Sequence, residues 1–151
     1  MLLSEETAFR IEVDLGEAVE VGRTPYGGRR VVEILAGRVS GARRAGIVVS
    51  GGADWQILRE DGVTDIQARY VIKTDHGAHV LVRSEGLRHG PPGVLDRIAA
   101  GEAVDYSLYY FRTVLRFEAA ASELQWMNRS IFVGLGKREP RSVSLEVHEL
   151  L

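Results

Sequence analysis

Residues 51–55 read Gly-Gly-Ala-Asp-Trp, directly after the apolar run Ile47, Val48, Val49. A carboxyl group set against an indole is a candidate for proton transfer. Apolar surroundings disfavour its charged form and raise its pKa toward a value useful in general acid–base chemistry. Asp54 is therefore the candidate acid or base, with Trp55 beside it on the pocket side. The competing reading makes Gly51 and Gly52 a β-bulge or a sharp strand exit, with Asp54 a turn cap and Trp55 half-buried. A second cluster lies in Val104–Ala119, VDYSLYYFRTVLRFEA. In a regular strand Tyr106, Leu108, Tyr110, Arg112 and Val114 share one face, and Ser107, Tyr109, Phe111, Thr113 and Leu115 share the other. A guanidinium among phenols suits a carboxylate or a developing enolate oxygen. Arg112 and Tyr110 are thus catalytic candidates and Tyr106 a binding one, unless Arg112 lies on the outside with the tyrosines packed around it. Trp126 and Asn128, two apart, can stack on and orient a ligand, or serve as a buried indole with an amide bonded to backbone. Tyr70, on one face with Ile66, Ala68 and Ile72, completes the binding set.

Other chemistries lack their residues. The chain has no cysteine, hence no disulfide, thiolate zinc site or cysteine nucleophile. His76 and His79 face opposite ways in a strand, and no histidine spacing resembles a zinc site. There is no nucleophile elbow, P-loop or dinucleotide fingerprint, and Gly134-Leu135-Gly136 sits between two strands instead of opening a helix. The expectation is a protein without metal or cofactor. Its 19 basic and 21 acidic residues are interspersed, with a net charge of −2, so nucleic-acid binding has no electrostatic support. No stretch approaches the roughly 20 apolar residues of a membrane span. The start, MLLSEETAFR, lacks the basic and apolar regions of a secretory signal. A cytoplasmic protein with a small-molecule ligand is expected. C2 pairs being the commonest assembly, a homodimer is the expected oligomer.

The elements that position these residues are short strands. Phe9, Ile11, Val13 and Leu15 alternate with Arg10, Glu12 and Asp14, the period-two mark of a half-buried strand. The same pattern recurs at 18–22, 29–35, 37–41, 46–52, 56–61, 64–74 and 78–84, separated by turns such as TPYGG, Asp61-Gly62 and DHG. Residues 85–93 read as a loop because Pro91 and Pro92 exclude a regular ladder. The one helix expected lies near 93–100, with Gly101 as its stop. The aromatic stretch 104–119 reads as a strand, 120–124 as a loop, and 126–136 and 142–150 as the last strands. A chain of 151 residues fits one domain, taken as 1–151. About eight to ten antiparallel strands with one short helix predict an all-β fold, a barrel or a sandwich; closure is the usual way to remove exposed edges, which favours a closed or nearly closed lipocalin-like barrel.

Seven pieces in order carry a family resemblance: VGRT-x-x-GG-R at 21–29, GGADW at 51–55, RY-x-x-x-TDHGA at 69–78, YYFRT at 109–113, FE at 117–118, WMNR at 126–129 and FVGLG at 132–136. Together they resemble the domain-of-unknown-function family three-two-three-seven, over nearly the whole chain. The resemblance implies an all-β barrel with a short helix before the YYFRT strand. It also implies a cofactor-free polar pocket for a small organic acid, phenol or polyketide-like compound. Two departures stand out. His76 replaces an acidic residue of a T-D-D-G-A pattern, and Met127 replaces the leucine of W-L-N.

Two functions follow from these residues. In the first, a cofactor-independent isomerase, cyclase or lyase/hydratase acts on an aromatic, carbonyl or polyketide-like substrate inside the barrel. Asp54 moves the proton, Arg112 and Tyr110 hold the oxyanion, and Trp55 and Trp126 clamp the ring. In the second, the same barrel is a carrier of a small hydrophobic ligand. A third reading is a barrel packed solid by its aromatics, with no pocket.

Overall fold

The structure, a computed structural model, describes residues 2–151. Eight strands follow one another: β1 (Phe9–Thr24), β2 (Gly27–Ser40), β3 (Gly46–Leu58), β4 (Thr64–Thr74), β5 (His79–His89), β6 (Tyr110–Ala119), β7 (Ile131–Arg138) and β8 (Ser142–Leu150). Each pairs antiparallel with its sequence neighbour, and β8 returns to β1 to close the barrel, with Phe9 opposite Val147 and Asp14 opposite Ser142. The predicted all-β antiparallel barrel is thus the fold. Its strands are fewer and longer than the turn signals suggest. Residues 18–22 continue β1 and residues 37–40 continue β2, because irregular pairing absorbs the glycines instead of ending the strand. No helix among the described residues is long and apolar enough to cross a membrane.

Helix α1 (Pro92–Ala99) lies between β5 and β6, with proline in its first turn, where a missing N–H costs nothing. None of its residues is fully buried, but Val94 and Ile98 pack on Ile66, Val104, Tyr109 and Phe111. Two expectations about the C-terminal third are corrected. The stretch 104–119 is not one strand, since Tyr106–Leu108 form a short 3-10 turn capped by the Asp105 carboxylate, which accepts from Ser107 N–H at 2.8 Å. Residues Ser122–Arg129 form a 3-10 helix where a loop and the start of a strand were expected. That segment buries Leu124 and Met127 and closes one end of the barrel.

The inward rows explain the packing. At the closed end Phe9, Phe117, Phe132 and Trp126 form one aromatic cluster, with Phe117 and Phe132 edge-to-face at 5.0 Å. At the other end the inward positions turn polar: Arg30 at the start of β2, Gln56 at the end of β3, Arg88 at the end of β5 and Arg138 at the end of β7. In an up-and-down barrel, starts of even strands and ends of odd strands share one rim, so these four residues meet.

Phe132 is fully buried at the centre of the aromatic cluster. Phe132→Ala is expected to destabilise the protein by about 3–5 kcal/mol, the usual loss for a large aromatic truncated in a core that cannot collapse. Chemical denaturation followed by circular dichroism measures it. A loss below about 1 kcal/mol would mean that the closed end is loosely packed.

Candidate functional site

The polar half of the barrel interior encloses a cavity of about 450 Å³. Val13, Val32, Ile34, Ile66, Phe111 and Leu145 form its apolar wall, and Leu95 and Ile98 of α1 lie over its mouth. Asp54, Gln56, Tyr70, Ser84, Arg88 and Thr113 project into it, with Arg30 and Arg138 nearer the rim.

Asp54 reaches this position through the two glycines before it. Along β3 and β4, Val49 pairs with Val71, but Ala53 pairs with Arg69, so four residues of β3 span two of β4. Gly51 takes φ +108° in this bulge, a backbone that residues with a Cβ rarely adopt. A Cβ on Gly52 would lie 2.5 Å from the Arg69 carbonyl oxygen. The two extra residues keep the inward parity while sliding Asp54 along β4 to face Ala68, deeper in the barrel than regular pairing would place it. GGADW is therefore a bulge within one strand, not a strand exit.

The carboxyl group is held at both oxygens. Gln56 Nε2 donates to Oδ2 at 2.7 Å, and the Gln67 N–H donates to Oδ1 at 2.9 Å. Arg30 in turn donates from Nε and Nη2 to Gln56 Oε1 at 2.9 and 2.7 Å. Since a guanidinium can only donate, it fixes the Gln56 amide with its oxygen toward Arg30 and its NH2 toward Asp54. Asp54 is 8% exposed, and burial pushes its pKa up. Hydrogen bonds from Gln56 and Gln67 and the charges of Arg88 and Arg30 oppose that rise without cancelling it. The result is a carboxyl group with unused acceptor capacity in a chamber with an apolar wall, suited to taking up and returning a proton.

The other sequence candidates divide sharply. Tyr70 does line the cavity, buried, with no hydrogen-bond partner for its hydroxyl and its pKa raised by burial. Arg112 does not, because Phe111, Thr113, Leu115 and Phe117 take the inward phase of β6 and leave the even positions outside. Its guanidinium donates to the Phe111 carbonyl at 2.9 Å and lies over the Tyr110 ring at 5.4 Å. Tyr110 is likewise outside, stacked on His89 at 4.9 Å. Tyr106 sits on the outer surface beside Lys137, 4.2 Å from its ammonium. Trp55 is 52% exposed on the outer face opposite Val31, as alternation with inward Asp54 demands. Trp126 belongs to the closed end, stacked on Phe9 with the Arg43 guanidinium 3.6 Å from its ring centre. Asn128 accepts from Ala119 N–H at 2.7 Å and donates to Ala119 O at 2.8 Å, standing in for a strand partner where β6 outruns β7. His76 is exposed in its turn, with Nδ1 3.2 Å from Arg44. Among the described residues no group of three or more His, Asp or Glu side chains is placed to hold a metal ion.

Arg30, Gln56, Ser84, Arg88, Thr113 and Arg138 were missed. The signal for Arg88 was present: Val80, Val82, Ser84, Gly86 and Arg88 share one parity, and β5 runs on to His89. The prolines at 91 and 92 end the strand only after that residue. Arg30-Val32-Ile34 and Phe132-Gly134-Gly136-Arg138 carry the same signal, an apolar or small inward row with an arginine at its rim.

The raised pKa of Asp54 has a sign that can be measured. Its folded-state pKa exceeds the unfolded value, so the unfolded chain gives up this proton more readily. Asp54 then costs stability as pH rises above about 4 and through its folded pKa, and costs none below. Relative to wild type, Asp54→Asn is expected to gain stability as pH rises from 4 to 8, read as the difference in Tm across that range. A flat trend would mean that folding leaves the Asp54 pKa unshifted, and an opposite trend that the ionised form is the better accommodated one.

With this geometry in view, the chain can be set beside known proteins. Residues 4–150 match the family model described as protein of unknown function, DUF3237. A UPF0311 protein of Rhodopseudomonas palustris is 37% identical over 149 residues, covering 99% of this chain and 97% of the relative. The crystal structure of a conserved R. palustris protein of unknown function superposes with TM-score 0.92 at 37% identity, over 99% and 97% of the two chains. A β-barrel-like protein from Acinetobacter baumannii superposes with TM-score 0.85 at 32% identity, over 99% and 96%. At 17% identity, a protein from Penicillium herquei described as an enzyme shares the fold with TM-score 0.70, over 97% and 96%. By its match over almost its full length, the chain belongs to the DUF3237 family.

Proposed function

We propose that the protein is a cofactor-independent enzyme of the isomerase, cyclase or lyase/hydratase class, acting on a small carbonyl compound held inside the barrel. The observation that carries this reading is Asp54: a buried carboxyl group with a raised pKa, fixed at both oxygens and lining a cavity inside the barrel that opens at one rim. In its ionised form Asp54 removes a proton from carbon beside the carbonyl. The C–H electrons pass into a C=C bond, and the carbonyl oxygen becomes an enolate. Returning the proton at another carbon gives isomerisation. Expulsion of a β-substituent gives elimination, and the reverse gives hydration or ring closure. Arg30, Arg88 and Arg138 supply the positive potential in which an enolate is stabilised. A second reading, a carrier without catalysis, draws on the apolar wall of the same cavity.

The experiment incubates wild type and Asp54→Asn with enones, lactones and aromatic keto compounds, and follows them by mass spectrometry and chiral chromatography. The expected outcome is a compound transformed by wild type, with turnover lowered about 10²–10⁴-fold in the variant, the usual share of a general acid–base group. Equal turnover by both proteins removes Asp54 from the chemistry. Binding by both without change of the compound favours the carrier.

A further inference from the structure

Arg88 is a guanidinium without a partner. It is 6% exposed, its charged carbon lies 5.5 Å from the Phe111 ring centre, and it forms no hydrogen bond or ion pair among the described residues. Burial pushes its pKa down to about 10, and the charges of Arg138 and Arg30 push the same way. Those two arginines are otherwise engaged. Arg30 holds Gln56 and lies 3.7 Å from Glu20, and Arg138 donates to the backbone carbonyls of Glu139 and Ser142. Asp54 is the carboxyl group inside the chamber; its oxygens accept from Gln56 and Gln67, and its charge favours the charged form of Arg88 without an ion pair forming between them. Glu20 and Asp96 also border the cavity, but from its exposed rim, where water screens them. One inward step from Arg88 along the β5–β6 ladder, the buried Thr113 hydroxyl also lacks a partner, as does the Tyr70 hydroxyl deeper in the barrel.

A guanidinium held at the cavity wall and two buried hydroxyls, all without protein partners, are costly unless something that enters the chamber pairs with them. Three guanidiniums around one carboxyl leave the interior short of negative charge. The planar fork of Arg88 matches a pair of oxygens on one carbon. We propose that the ligand of this cavity is an organic acid in its anionic form, a carboxylate or a readily ionised enol. Its charged oxygens lie on the Arg88 guanidinium with the Thr113 hydroxyl beside them. Its apolar body lies along Val32, Ile34, Ile66 and Leu145. This rests on taking the cavity as the reaction site, and it names what enters: an acid, not its neutral ester or amide. A neutral analogue of the same shape leaves the fork unpaired, the situation in which polar sites discriminate most strongly.

The test is isothermal titration calorimetry of the folded protein with matched pairs of aryl and alkyl carboxylates and their primary amides, 2-naphthoate with 2-naphthamide among them. At least one acid is expected to bind more than about tenfold tighter than its amide, and Arg88→Met is expected to erase that preference. Arg88→Lys should restore part of it. If Arg88→Met does not fold by circular dichroism, Thr113→Val, which keeps the shape, is expected to weaken the acid about three- to tenfold and leave the amide unchanged. Amides that bind as well as acids, no binding by any acid, or an acid preference that survives in Arg88→Met and Thr113→Val would overturn the proposal. Its failure is distinct from failure of the catalytic reading. An acid bound through Arg88 but never transformed leaves the anion site standing and removes the chemistry. A neutral compound transformed in an Asp54-dependent, Arg88-independent way does the reverse.

Discussion

Everything in this molecule depends on the pairing of β8 with β1. Six residue pairs, from Phe9–Val147 to Asp14–Ser142, turn a meander into a closed surface. Closure removes the exposed edges that an open sheet of this length would present. It also fixes an interior volume, so each inward side chain must fill that volume or border a space within it. The chain divides this interior lengthwise. Aromatic rings and the 3-10 segment Ser122–Arg129 fill one half, and charged and polar ends of the strands surround the other. The same strand thus contributes a core residue and a site residue a few positions apart: Val80 and Arg88 on β5, Phe132 and Arg138 on β7.

Glycine and small residues allow the site to exist within so tight a cylinder. A Cβ on Gly136 would lie 2.6 Å from the Phe111 ring, so Phe111 lies across a position on β7 where a side chain would otherwise stand. The bulge at Gly51-Gly52 does the complementary work on β3, drawing Asp54 inward without changing its face. Arg30 then settles the orientation of Gln56, and Gln56 that of Asp54. The carboxyl geometry is therefore set by three consecutive strands, none of which is a loop. Sites built on such elements are more sharply positioned than sites on loops.

Much of the fold was legible in the sequence, and the site only partly. Alternation in Phe9–Leu15 and Thr64–Thr74, with glycine turns between, led to an antiparallel barrel or sandwich, and the need to remove exposed edges favoured the barrel. Strand lengths were not legible. A glycine inside a strand reads as a terminator until the ladder beside it is known, as at Gly37 and Gly51. Tyr70 could be placed at the cavity because its neighbours alternate clearly, whereas Asp54 was singled out by the indole beside it, an indole that alternation turns outward. Arg112 and Tyr110 could not be placed. Both faces of 104–118 carry aromatics, and only the register of β6 against β5 and β7 decides which face is inside. Arg88 was hidden for a different reason: two prolines nearby suggested a loop, although the inward parity of β5 runs straight through it. For Trp126 and Asn128, strand propensity suggested two side chains pointing one way, whereas the 3-10 segment gives one to the aromatic cluster and the other to the Ala119 backbone.

The floor of the barrel has an implication for how the chain matures. Ser122–Arg129 comes after the six strands whose inner surface it covers. As the polypeptide leaves the ribosome, the inner rows of β1 to β6 emerge before the segment that shields them and before the strand that closes the cylinder. For that interval the nascent meander has two open edges and a water-exposed concave face, the condition in which strand-rich intermediates associate wrongly. The outward rows of β1, β2 and β4 include Arg10, Glu12, Asp14, Glu33, Arg38, Arg69 and Lys73. Those charges face solvent in the finished protein, and during synthesis they keep that outer face hydrated, so the risk is confined to the concave face and the open edges.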